Sequence, residues 1–99
     1  MPLSDTQKRH LRGLAHHLKP VVMVGQQGLR PAVHEEIDHA LDAHELIKVR
    51  VGAADRDERQ ALIGEIAARN RAELIQNIGH VAVFFRRNRD KPKVVLPSG

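Results

Sequence analysis

Val21-Val22-Met23-Val24-Gly25-Gln26-Gln27-Gly28-Leu29-Arg30-Pro31 is the stretch whose reading decides the fold. Four apolar residues without interruption predict a short buried strand, two glycines bracket two amides, and Pro31 suits the first turn of a helix, where its missing N–H costs nothing. The order is strand, glycine loop, helix start. Glycines let the backbone turn sharply and let another backbone come close. The first amides of the helix behind them lack intrahelical partners and carry partial positive charge, a combination that attracts phosphate.

Two glycines three positions apart are, taken alone, an ordinary turn. The loop lacks the Gly-Lys-Ser/Thr ending of a triphosphate-binding loop and the third glycine of a dinucleotide fingerprint, so no nucleotide cofactor is expected. What remains is a loop able to hold a nucleic-acid backbone, as the G-X-X-G loop of KH domains does.

Upstream, Ser4 and Gln7 form a capping box, and Leu11, Leu14, Ala15 and Leu18 recur at helical spacing, giving a first helix over about residues 5 to 17. Lys8, Arg9, Arg12, His16 and Lys19 fall in one arc beside that stripe. Gly13 inside the helix suggests close packing there. Lys19-Pro20 ends it. Downstream, a second helix runs from Pro31 to about Ala43, with Val33, Ile37, Ala40 and Leu41 facing the core and Glu35, Glu36, Asp38 and Asp42 on a wholly acidic outer face, its early acids also suiting the helix dipole.

Residues 46 to 51 alternate, Ile47, Val49 and Val51 against Lys48 and Arg50, which reads as a half-buried strand. Gly52, Ala53 and Ala54 lead to Asp55, which with Glu58 forms another capping box for a third helix reaching about Asn70, its stripe being Leu62, Ile63, Ile66 and Ala67. Arg69 and Arg71 suit that helix's C-terminal dipole. Residues 73 to 78 and 81 to 86 make a hairpin around Gly79-His80, and residues 94 to 96 suggest a short edge strand. The element order is α-β-α-β-α-β-β, an α/β domain spanning 1–99.

Charge is segregated. The net charge is +4; residues 1–30 carry five basic and one acidic side chain, residues 31–45 none and five, and residues 74–99 five and one. Such a distribution fits an anionic partner met by some elements and avoided by the second helix. Phe84 and Phe85 are the only aromatics of the Phe, Tyr, Trp class, so contacts to nucleic acid should rest on backbone and shape more than on stacking. There is no cysteine, and no apolar run long enough for a membrane span; a cytoplasmic protein is expected, with no membrane and no small-molecule substrate. Seven histidines meet no metal-ligand spacing: His34-Glu35 and His44-Glu45 are followed at the decisive position by Asp38 and Lys48, and His16 and His17 face different ways. Ser4, Thr6 and Ser98 lie at a helix start or the terminus, so neither a nucleophile nor an acid–base pair is evident and no enzyme is expected.

The run from Leu11 to Pro20, then Val21 to Val24 and Gly25-Gln26-Gln27-Gly28-Leu29, then His44-Glu45-Leu46-Ile47-Lys48-Val49, then Ile78-Gly79 leading into Val81 to Arg86, resembles the CRM-domain family, the chloroplast RNA splicing and ribosome maturation domain, in its stand-alone bacterial, YhbY-like form. The resemblance covers about residues 3 to 96. It implies a mixed four-stranded sheet with three helices, similar to the C-terminal domain of translation initiation factor 3 with an extra helix in front. It also implies RNA binding through the Gly25 to Gly28 loop and association with precursors of the large ribosomal subunit. Family members often cap the helix after the loop with threonine or serine, where this chain has Arg30-Pro31. The resulting expectation is a phosphate clamp made of Gly25, Gln26, Gln27, Gly28 and Arg30, flanked by Lys8, Arg12, Lys19, Lys48, Arg86, Arg87, Arg89 and the basic segment after them, on large-subunit ribosomal RNA. The rival is a protein-interaction adaptor whose acidic second helix docks a basic partner.

Overall fold

The computed structural model describes residues 3–25, 27–52 and 55–98; Gln26 and the Ala53-Ala54 link, named above, lie outside them. The elements are α1 (Asp5–Ala15), β1 (Val22–Val24), α2 (Pro31–His44), β2 (Leu46–Val51), α3 (Arg56–Arg69), β3 (Glu73–Ile78) and β4 (Val81–Phe85). The sheet order is β1-β2-β4-β3, with β1 parallel to β2 and the other pairs antiparallel. The sheet is therefore mixed, and α2 is the crossover that a parallel β1–β2 pair needs.

Local chemistry places most of these boundaries. The Ser4 side chain accepts from the Gln7 N–H while the Gln7 side chain accepts from the Ser4 N–H, a complete capping box. At α3 only one arm forms, from the Glu58 N–H to Asp55 at 2.7 Å. One face of the sheet packs on α2 and α3 through Val22, Val24, Ile37, Leu41, Ile63 and Phe84. The other is covered at one end by α1 and the C-terminal tail, through Leu11, Ala15, Leu46, Ile75, Val83 and Phe85, with Leu3, Val94 and Leu96 packed against them.

Several sequence expectations are corrected. Only Val22 and Val24 of β1 face α2 and α3 and are buried, while Met23 points to the uncovered face of the sheet and is 68% exposed. α1 stops at Ala15, and of its stripe Leu14 and Leu18 stay 40% and 38% exposed. A Cβ on Gly13 would meet nothing within 4 Å, so no close packing explains that glycine. Residues 94–96 form no strand; the tail is tied to α1 by Gln7 Nε2 donating to the Pro97 carbonyl and by a His10 Nε2 contact with the Val95 carbonyl, both at 3.0 Å. β4 ends at Phe85, one residue early, because Arg86 turns toward α2.

Glu45 organises this turn. It follows α2 at φ 62°, a conformation that L residues rarely hold, and its side chain is fully buried. The carboxylate accepts from the backbone N–H groups of Asn88, Lys93 (2.6 Å) and Val94 (2.7 Å) and from the Arg87 guanidinium at 3.3 Å. Burial opposes ionisation, but the backbone donors and Arg87 outweigh it and hold the carboxyl below its ordinary range. A depressed carboxyl stabilises the fold above the unfolded pKa of about 4.3, and that contribution is lost as pH falls through the folded value. Glu45→Gln puts an amide N–H₂ where N–H donors converge, and should cost about 3 kcal/mol at neutral pH. Urea unfolding of parent and variant between neutral pH and pH 3 checks this: the gap should narrow toward the acid end.

Candidate nucleic-acid interface

Gly25 to Gly28 close a tight turn, the Gly28 N–H donating to the Gly25 carbonyl at 3.1 Å. Gly28 sits at φ 77°, where a side chain is strained. Gly25 has no such φ, and a Cβ there would meet nothing within 4 Å. The two glycines therefore differ, one shaping the turn and the other leaving space beside it.

Behind the turn, Arg30 is the N-cap of α2 but makes no side-chain cap hydrogen bond, and Pro31 follows. Val33 and His34 donate to the Arg30 carbonyl. The first turn of α2 carries no acid, since Glu35 and Glu36 come a turn later, so the expected dipole compensation by those residues is absent. The helix start thus keeps positive character with no side chain of its own quenching it.

The structure divides the expected cations into two groups. Arg30 adjoins the loop, and Lys19 and Lys48 line one hollow between α1 and β2, Lys48 Nζ donating to the Leu18 carbonyl at 3.0 Å. Arg12 lies half-buried in the last turn of α1. The others lie toward the opposite end of the sheet: the loop leaves β1 beside Val51 and the Val81 end of β4, whereas Arg86 follows Phe85, about 17 Å along that strand. Lys8 pairs with Glu73 at 3.6 Å. Arg89 is exposed and lines a hollow with Arg86 and Arg87.

Two of the expected arginines also bond within the fold. Arg86 donates to Asp38 at 2.8 Å, Asp42 at 2.9 Å, the Asn70 carbonyl at 3.1 Å and the Asp38 carbonyl at 3.0 Å. Arg87 binds Glu45 and the Val94 carbonyl and lies 5.6 Å from the Phe85 ring centroid. The same bonds qualify the reading of α2 as wholly acidic outside, because Arg86 sets one positive charge between Asp38 and Asp42 and leaves one negative charge over, while Glu35 and Glu36 stand apart. Reading residues alone could not find this, as the partners are more than forty positions apart. A signal overlooked in the sequence is Arg50, which alternates with Lys48 on the wet side of β2 and lies opposite Met23.

Among the described residues no three His, Asp or Glu side chains gather as a metal site, and no helix is long and apolar enough to cross a membrane.

These elements define a class, a small mixed α/β domain with three helices and a four-stranded sheet carrying a glycine loop at the start of its crossover helix. A Staphylococcus aureus protein described as a hypothetical protein with an RNA-binding assignment has a solution structure that superposes with TM-score 0.82 at 34% identity, covering 97% of this chain and 100% of that one. An RNA-binding protein of Haemophilus influenzae is 48% identical over 96% of this chain and 95% of its own length. The Bacillus subtilis protein YqeI, named a probable RNA-binding protein, is 34% identical over 96% and 99%. Residues 3–86 match the CRS1/YhbY (CRM) domain, and the chain belongs to that family.

The glycine asymmetry is testable on stability alone. Gly28→Ala should destabilise by about 1 kcal/mol or more and Gly25→Ala by less than about 0.5 kcal/mol, as read from chemical denaturation midpoints. Arg86→Ala, which strips two carboxylates and two carbonyls of a largely buried donor, should cost about 2 kcal/mol in the same assay.

Proposed function

We propose that this protein is a non-enzymatic, cytoplasmic RNA-binding protein that holds phosphates of large-subunit ribosomal RNA or its precursor at the Gly25–Gly28 turn and assists assembly of that particle. The observation that carries the reading is the uncapped, acid-free start of α2 directly behind that turn, with Arg30 beside it. Such a helix start offers positive potential to an anion. The names of the relatives support RNA as the anion, and the ribosomal destination follows from the family resemblance. Lys19, Lys48 and Arg12 extend the cationic surface; Arg86 and Arg87 act in folding instead. Affinity is then largely electrostatic, with sequence preference supplied by RNA shape or by neighbouring proteins.

Log affinity for a structured RNA should fall linearly with log salt, by about 0.7 to 0.9 per phosphate contacted. A flat salt response in fluorescence anisotropy removes the clamp. Location is tested by two variants of equal charge change. Gln27→Asp with Arg30→Gln alters exposed residues at the turn and should weaken binding about ten-fold or more, whereas Arg56→Gln with Arg69→Gln, at the two ends of α3, should cost about two-fold through the general field that salt screens. A folded turn variant that binds as the parent does would show Gly25–Gly28 to be only a turn. Complexes recovered from cells should dissolve on nuclease treatment; a protein adaptor's complexes would persist.

A further inference from the structure

The sheet face turned away from α2 and α3 is only half covered. α1 and the tail close the end holding Leu46, Ile75 and Phe85. Beyond that end the strand register sets Met23, Arg50, Val81 and Ile78 side by side in one cross-strand row; in the next row Lys48 and Gln76 flank Val83, which is itself buried in the cluster with Leu11 and Ala15. These side chains face outward because their neighbours Val24, Val49, Val51 and Ala82 face the core. Met23 is 68% and Ile78 67% exposed, two large aliphatic groups standing on either side of an exposed arginine.

A hollow of about 370 Å³ lies on this face, lined by Pro20, Lys48, Arg50, Gln76, Ile78 and the two β4 valines. Its neighbour between α1 and β2, about 460 Å³, shares Lys48 and adds Lys19. No aspartate or glutamate lines either one, whereas a hollow on α2 is lined by Glu35 and Glu36. Arg50 forms no ion pair among the described residues. Met23 stands two residues before Gly25, so the row adjoins the start of the glycine turn.

We propose that this row is a seat for unpaired ribonucleotides on a strand whose backbone is held at Gly25–Gly28, an inference that rests on the RNA-binding function above. Aliphatic groups flanking a planar guanidinium can pack against the faces of bases and riboses, and Arg50 and Lys48 are placed to meet the intervening phosphates. The chain has no exposed Phe, Tyr or Trp for this task, since Phe84 and Phe85 are both buried. A duplex hides its base faces and would leave Met23 and Ile78 without apolar contact. The charge and continuity of the surface thus select single-stranded RNA over paired RNA.

The test titrates the full chain with an oligouridylate of about twelve residues and with a blunt RNA duplex of similar length. Met23→Ser with Ile78→Ser keeps the net charge and alters two exposed side chains; it should weaken oligouridylate binding about five-fold and duplex binding by less than about two-fold, the apolar contact being absent from the latter. Arg50→Gln should likewise weaken the single strand more than the duplex. Oligouridylate carrying 4-thiouridine should crosslink to the peptide containing Met23 or that containing Val81. Unchanged oligouridylate affinity in the folded Ser variant, equal losses on both RNAs, or crosslinks confined to α3 would overturn the seat. A parent that binds duplex but no oligouridylate overturns it while leaving the phosphate clamp standing. If Gln27→Asp with Arg30→Gln binds both RNAs like the parent, the clamp fails and the seat with it.

Discussion

A single buried carboxylate sets the arrangement of this molecule's far end. Glu45 holds a positive φ immediately after α2, and the chain tolerates that strain because the backbone of residues 88–94 wraps its donors around the side chain. Three backbone N–H groups would otherwise be left inside without partners, and an unpaired carboxylate there would be costlier still. α2 therefore ends where it does, β2 begins at the next residue, and the segment after β4 is led back to cover Leu46 and Phe85.

This use of charge separates two kinds of cation. Arg86 and Arg87 join α2, the end of α3 and the tail through Asp38, Asp42, Asn70 and Glu45, and their positive charge is answered within the fold. Arg30, Lys19 and Arg50 have no ion pair among the described residues; Arg30 adjoins the glycine turn, Arg50 stands on the open sheet row, and Lys19 lines the hollow between α1 and β2. Net charge alone does not distinguish the groups. What distinguishes them is whether a carboxylate is brought within reach by tertiary structure.

The same distinction explains what could be read from the residues. β2 and β3 fall on the expected positions because alternation and hairpin signals are local, and the starts of α1, α2 and α3 follow from Ser4, Pro31 and Asp55 for the same reason. The glycine turn was legible, but which of its two glycines needs a positive φ was not, because Gly25 and Gly28 look alike in sequence and only Gly28 holds one. Met23 was misjudged because an apolar run does not show which face of the sheet is left uncovered. Arg86 looked solvated because its carboxylates belong to a helix formed more than forty residues earlier. The row joining Met23 to Ile78 needs the strand order β1-β2-β4-β3, which periodicity does not contain.

The tail's ties to α1 bear on how the chain is made. The cluster beneath α1 draws Leu3, Leu11 and Ala15 from the start of the chain and Phe85, Val94 and Leu96 from near its close. Contacts of such wide sequence separation form late, after the local hairpin and the crossover helix are in place. During synthesis the apolar side of α1 is fully covered only after Leu46, Ile75 and Val83, and then the segment with Val94 and Leu96, have emerged. A nascent chain in that interval exposes a helical apolar stripe of the kind that chaperones shield.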